Sequence, residues 1–86
     1  MPVISEFYGI MIRMFYNDHA PPHFHAIYGE FELIVGISPI KILEGKASSW
    51  VRSMVLEWAA LHQTELLANW ERCRKSEQPL FIDPLE

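Results

Sequence analysis

The chain is poor in the residues that mark several common chemistries. A single cysteine, Cys73, excludes an internal disulfide and any zinc site built from several thiolates. Its four glycines are scattered singly, so no glycine-rich loop exists to cradle a phosphate. No apolar run approaches the roughly 20 residues that a membrane span requires. Cations are scarce as well: seven Lys and Arg stand against eleven Asp and Glu, a formal net charge of -4, which disfavours gripping nucleic acid phosphates as the main task. The scarcity is uneven. Arg13 is the sole cation of residues 1–40, facing Glu6, Asp18, Glu30 and Glu32, whereas Arg72, Arg74 and Lys75 are bunched, where they either complement a helix C-terminus or touch phosphate. The first sixteen residues are apolar but carry Glu6 and Arg13 and lack a small-residue cleavage site, which reads against a secretory signal and for a cytoplasmic protein.

What is present is enough for one modest core. Half of the 86 residues are apolar, so a single domain over residues 1–86 is expected, without repeats or linkers. The front half alternates as strands do. Ile10, Ile12 and Met14 interleave with Gly9, Met11, Arg13 and Phe15 across residues 8–16. A loop follows at Asn17 to Pro22, where turn formers and two prolines forbid regular pairing. Residues 23–28 and 31–37 form a hairpin about Gly29-Glu30, in a register that sets Tyr28 opposite Phe31, Ala26 opposite Leu33 and Phe24 opposite Val35. On the other side Ile27 then faces Glu32, His25 faces Ile34 and His23 faces Gly36. Residues 40–43 add a short edge strand.

The back half reads as one helix over 49–75, with Ser48 or Ser49 as N-cap and Val51, Met54, Val55, Trp58, Leu66 and Cys73 at helical spacing. Such a helix would be about 40 Å long, more than the sheet can cover, and so would project or pair with a second chain. A tail over 78–86 carries Leu80, Phe81 and Ile82 and should dock on the body. On a wheel of about 100° per residue, His62, Glu65 and Asn69 fall inside the apolar stripe. Buried imidazole, carboxylate and amide groups need partners, so either they satisfy one another and a loop backbone, or they serve a ligand or a reaction.

Histidine supplies the second constellation. His23 and His25 project from the same strand face about 6–7 Å apart, and His19 enters from the proline loop beside Asp18. Three imidazoles in this pattern suit zinc or another borderline divalent ion, with water or a carboxylate from Asp18, Glu32 or Glu65 completing the shell. Paired strand histidines also serve as ordinary polar surface. A metal-free alternative has two histidines share acid and base duties in phosphodiester cleavage, with Arg13 stabilising charge, His62 and Glu65 as catalytic groups and Asp18 and Asn69 contacting ligand.

Three stretches carry a resemblance: Met1 to Ile10; Asp18-His19-Ala20-Pro21-Pro22-His23-Phe24-His25 with Tyr28-Gly29; and Leu56 to Leu66 with Asn69-Trp70. Together they resemble a small bacterial and archaeal domain-of-unknown-function family, number 4160. Where a Leu-Pro and a basic residue are usual before the helix, this chain has Lys46-Ala47-Ser48-Ser49-Trp50. The resemblance implies a short protein of a two-gene cassette, toxin-antitoxin-like or regulatory.

The expected architecture is α+β: an antiparallel meander of three or four strands followed by one long C-terminal helix packed on the sheet. The helix should cover the face bearing Phe24, Tyr28, Phe31, Leu33 and Val35, leaving the histidine face to a homodimer or a small protein partner; a helix crossing the other face would instead gather His23, His25, His62 and Glu65. The expected function is a small binding or regulatory module with a histidine cluster for metal or ligand, and a ribonuclease-type toxin is the alternative.

Overall fold

Alternation of apolar and polar side chains, interrupted by tight turns, builds the sheet in this computed structural model, which describes residues 2–86. Five strands lie side by side in chain order, each antiparallel to the next: β1 (Val3–Phe7), β2 (Ile10–Arg13), β3 (His23–Tyr28), β4 (Phe31–Ile37) and β5 (Ile40–Gly45). Two helices follow, α1 (Ser49–Leu61) and α2 (Gln63–Arg74). The α+β class and the meander agree with the sequence reading, and all six pairs of the β3–β4 hairpin fall in the expected register. Gly29 opens its turn with φ +60, the left-handed conformation that a two-residue turn with glycine first requires.

The strand count departs from three or four. Residues 8–16 are not one strand, because Tyr8 and Gly9 both take positive φ, 51 and 80, and reverse the chain so that Phe7 pairs with Ile10. This turn splits the apolar stretch into β1 and β2 and adds a strand where none was expected. Gly45 closes β5 with φ +99, and a Cβ there would overlap the Glu32 carbonyl of β4.

The single long helix is also corrected. His62, with φ -124 and ψ 25, interrupts it between α1 and α2. The break leaves few backbone groups stranded: the His62 N–H bonds to the Trp58 and Ala59 carbonyls at 3.2 Å, and its own carbonyl accepts from Leu66 N at 2.9 Å. Gln63 fixes the new start by donating from Nε2 to the Ile37 carbonyl of β4 at 2.7 Å. Thus the longest dimension of the molecule is 33 Å and the helices do not project. Ser48 caps α1, its Oγ accepting from Val51 N at 3.2 Å.

The helices cover the Phe24 face of the sheet. Phe24, Ala26, Leu33 and Val35 are buried there with Ile10, Ile12, Val55, Trp58 and Leu66, and Trp58 meets Phe24 edge-on at 5.7 Å. Each such large side chain removed from water contributes about 1.5–3 kcal/mol before entropy is charged. Tyr28 and Phe31, expected under the helix, instead sit at the exposed hairpin tip, where Tyr28 packs on Trp50 at 5.9 Å. Past α2 the tail returns to the body: Ile82 is buried and its N–H bonds to the Ile4 carbonyl at 2.7 Å, while the Trp58 indole donates to the Asp83 carbonyl at 2.8 Å. Leu80 and Phe81 stay exposed. Among the described residues, no helix is long and apolar enough to cross a membrane.

Candidate metal centre

Period-two alternation on β3 sends His23 and His25 to the sheet face opposite the helices, with ring centroids 5.4 Å apart. His23 is only 4% exposed because Trp70 of α2 reaches round to it, ring to ring at 5.1 Å. The loop between β2 and β3 supplies the third member. Asn17 takes φ 53, which asparagine tolerates, and ties the loop to the end of α2: its N–H bonds to the Cys73 carbonyl at 3.1 Å and its Nδ2 to Ser76 Oγ at 3.0 Å. The adjacent Asp18 carboxylate is thereby aimed at both rings, with Oδ2 2.9 Å from Nε2 of His23 and 3.7 Å from Nε2 of His25.

The outer nitrogens of both rings are already engaged. His23 Nδ1 lies 2.7 Å from the Pro21 carbonyl, and His25 Nδ1 lies 2.8 Å from Glu32 Oε2 on β4. A carbonyl and a carboxylate only accept, so each Nδ1 carries the proton and each Nε2 is directed at Asp18. For His23, Asp18 is a second acceptor; the ring satisfies both neighbours only with both nitrogens protonated, or with a cation on Nε2. For His25, Nε2 is buried and has no hydrogen-bond partner. Asp18, His23 and His25 form a group that could hold a metal ion, each offering one ligand atom, all within 4.8 Å of one another. Around a tetrahedral ion with bonds of about 2.0 Å, neighbouring ligand atoms stand about 3.3 Å apart, a value bracketed by the 2.9 and 3.7 Å separations.

Electrostatics at Asp18 agree with a carboxylate kept ionised. Burial pushes its pKa up, but the hydrogen bonds from the His19 N–H and from His23, with the charges of those two histidines, outweigh burial and hold it below the usual value.

The chain matches, over residues 9–71, the family described as Domain of unknown function (DUF4160). It belongs to that family. No curated protein and no solved structure matches it. The matched stretch of this DUF4160 domain contains Asp18, His23 and His25 together with Glu32, His62, Glu65 and Asn69.

The remaining residues singled out from the sequence lie in several places. His19 points to solvent, its side chain 87% exposed, with Nδ1 3.0 Å from Asp18 Oδ1; it flanks the group without entering it. Arg13 stands opposite His25 across β2 and β3 and donates from Nε to Met11 Sδ at 3.1 Å. His62 and Glu65 pair with each other, Nδ1 to Oε1 at 2.6 Å, and are not part of the Asp18–His23–His25 group. Asn69, buried in α2, clamps the tail: Oδ1 accepts from Leu80 N and Arg72 Nη1, both at 2.9 Å, and Nδ2 donates to the Leu80 carbonyl at 2.8 Å.

Sequence reasoning gave no site role to Trp70 beside His23, to the Pro21 carbonyl behind it, or to Phe15 and Tyr16, which with Asn17, Asp18 and His25 line a cleft of about 350 Å³. The alternation of residues 11–15 marked Phe15 as a neighbour of the histidine face; nothing local marks a carbonyl as a hydrogen-bond acceptor for a ring.

Proposed function

We propose that this DUF4160 domain is a small divalent-metal-binding module, with zinc the ion its donor set suits, and that Asp18, His23 and His25 are the ligands. One observation carries the reading. Two imidazoles have their Nδ1 atoms tied off by acceptors and turn their Nε2 atoms to one carboxylate oxygen, and the buried Nε2 of His25 has no other partner. Acceptors fixed behind metal-bound histidines set tautomer and ring orientation in just this manner. Three protein ligands leave at least one coordination position open, and a cleft lies beside two of them, Asp18 and His25. A bound ion there supplies Lewis acidity and a fixed positive charge.

In the cell we read the module as a cytoplasmic regulatory or binding protein, one member of a toxin-antitoxin-like gene pair, in keeping with the family resemblance. The helix-free sheet face supports a protein contact, by a second copy or by a small partner. Met11, Ile27 and Ile34 are half-buried there, with exposed Val3 and Leu43 beside them and Arg13, Glu32 and Glu44 among them. A ribonuclease-type toxin is the alternative reading, supported by the cleft beside Asp18 and His25 and opposed by the acidic net charge.

Metal analysis of untagged protein tests the central reading. One equivalent of zinc retained after desalting, and lost in both His23→Ala and His25→Ala, is the expected result. Folded protein that takes up no zinc, cobalt or manganese at micromolar concentration overturns it. Growth arrest on induction, relieved by His23→Ala, would favour the toxin over the regulatory module.

A further inference from the structure

The cleft beside the three ligands has a composition that specifies its occupant. It is lined by Phe15, Tyr16 and Asn17 together with two of the ligands themselves, Asp18 and His25. Phe15 meets the His25 ring edge-on, with centroids 4.5 Å apart, so an aromatic wall adjoins the ring whose Nε2 faces the ion position. Tyr16 is 41% exposed and presents a second ring. The Asn17 amide nitrogen is engaged by Ser76 Oγ. No lysine or arginine lines this cleft. Arg13 stands opposite His25 but outside this lining, so within the cleft an anion meets the ion as its counter-charge and binds through it, end on.

Charge then fixes the valence of that anion. Asp18 and Glu32 together offset the two positive charges of a divalent ion, Arg13 opposite His25 adds one, and one monoanion completes neutrality. A dianion would add uncompensated negative charge facing Glu32, which stands directly behind His25. The volume of about 350 Å³ accepts a single ring with a short acidic group.

We infer that the cleft formed by Phe15, Tyr16 and Asn17 against Asp18 and His25 binds a small aromatic monocarboxylate, its carboxylate on the open position of the ion and its ring between the Phe15 and Tyr16 side chains. This inference rests on the metal reading and names the ligand class of the same site. The two rings provide selectivity over aliphatic acids, and the ion provides the anchor.

Cobalt(II) serves as the probe, because its visible absorption responds to a change in the ligand sphere. Protein loaded with one equivalent of cobalt is titrated with benzoate and, separately, with acetate. The expected result is a saturable spectral change with both, at about tenfold lower concentration for benzoate, the scale of an aromatic pair contact. Phe15→Ala should cut the advantage of benzoate over acetate to about threefold or less, both acids being compared in variant protein shown to hold one equivalent of cobalt. Equal affinity for the two acids, or no spectral response to either with cobalt bound, overturns the ligand class and leaves the metal site standing. Failure of cobalt to bind one-to-one overturns both, and is seen before any acid is added.

Discussion

Glu32 Oε2 accepts the Nδ1 proton of His25 at 2.8 Å, from the neighbouring strand and two residues along from the pair directly opposite. This diagonal bond turns the His25 ring so that its other nitrogen faces Asp18. A half-exposed glutamate on the outside of a sheet thereby sets the direction of a ligand atom that is itself buried.

Removing that support should weaken the site without unfolding the domain. Glu32→Ala is expected to lower zinc affinity by about 10 to 100-fold, the usual effect of losing the acceptor behind a metal-bound histidine. Glu32→Gln keeps an acceptor and should recover much of the loss. Competition titration against a chromogenic chelator measures both, and unchanged thermal unfolding of the metal-free variants checks that the fold is intact.

Metal should stabilise the fold in proportion to its binding. With free zinc at 100 times Kd the gain is about 2.7 kcal/mol. In a domain of this size that raises Tm by about 10 to 20 °C. A chelator should reverse the rise. The gain should also shrink as pH falls, because protons compete with the ion for ring nitrogen and carboxylate.

Without metal, Asp18 gives acid sensitivity of a definite sign. The folded carboxyl binds a proton less readily than the unfolded one, so its contribution to stability is complete above the ordinary carboxylate value of about 3.9 and vanishes as pH falls through the lower folded value. Denaturant unfolding of the metal-free protein from pH 6 to pH 2 should show a steeper acid limb for the native chain than for Asp18→Asn.

The polar groups of the helices should separate into a clamp and a bystander pair. Asn69→Ala strands the Leu80 amide and carbonyl and frees Arg72, with an expected cost of about 1–3 kcal/mol and faster hydrogen exchange at Leu80 and Ile82. His62→Ala with Glu65→Ala removes a partly exposed pair and should change stability by less than about 1 kcal/mol, leaving zinc affinity as it was.

The hairpin and its histidines were legible in the sequence because period two leaves little freedom: once Gly29 takes the turn, every partner from Tyr28–Phe31 to His23–Gly36 follows. The first hairpin was not, because its turn is Tyr8-Gly9 inside a continuous apolar stretch, and a tyrosine at φ 51 is not a turn signal. Nor was the helix break. The buried positions Val51, Val55 and Trp58 of α1 and Leu66, Asn69 and Cys73 of α2 keep nearly one phase on a single helical wheel, so the interruption at His62 leaves no mark in the periodicity. The site was half legible. His23 and His25 follow from alternation, and Asp18 is one of three candidate carboxylates, but its choice over Glu32 and Glu65 depends on Asn17 being bonded to Cys73 and Ser76, residues more than fifty positions away.

The central claim is that two ring nitrogens and one carboxylate oxygen converge to hold an ion. Long-range proton–nitrogen NMR spectra of nitrogen-15 labelled protein, taken before and after one equivalent of zinc, test it atom by atom. Zinc should move the Nε2 signals of His23 and His25 to values of metal-bound nitrogen, with Nδ1 of both still protonated and His19 and His62 unmoved. Unchanged signals at His23 and His25, or zinc found on His19 or His62 instead, would contradict the account.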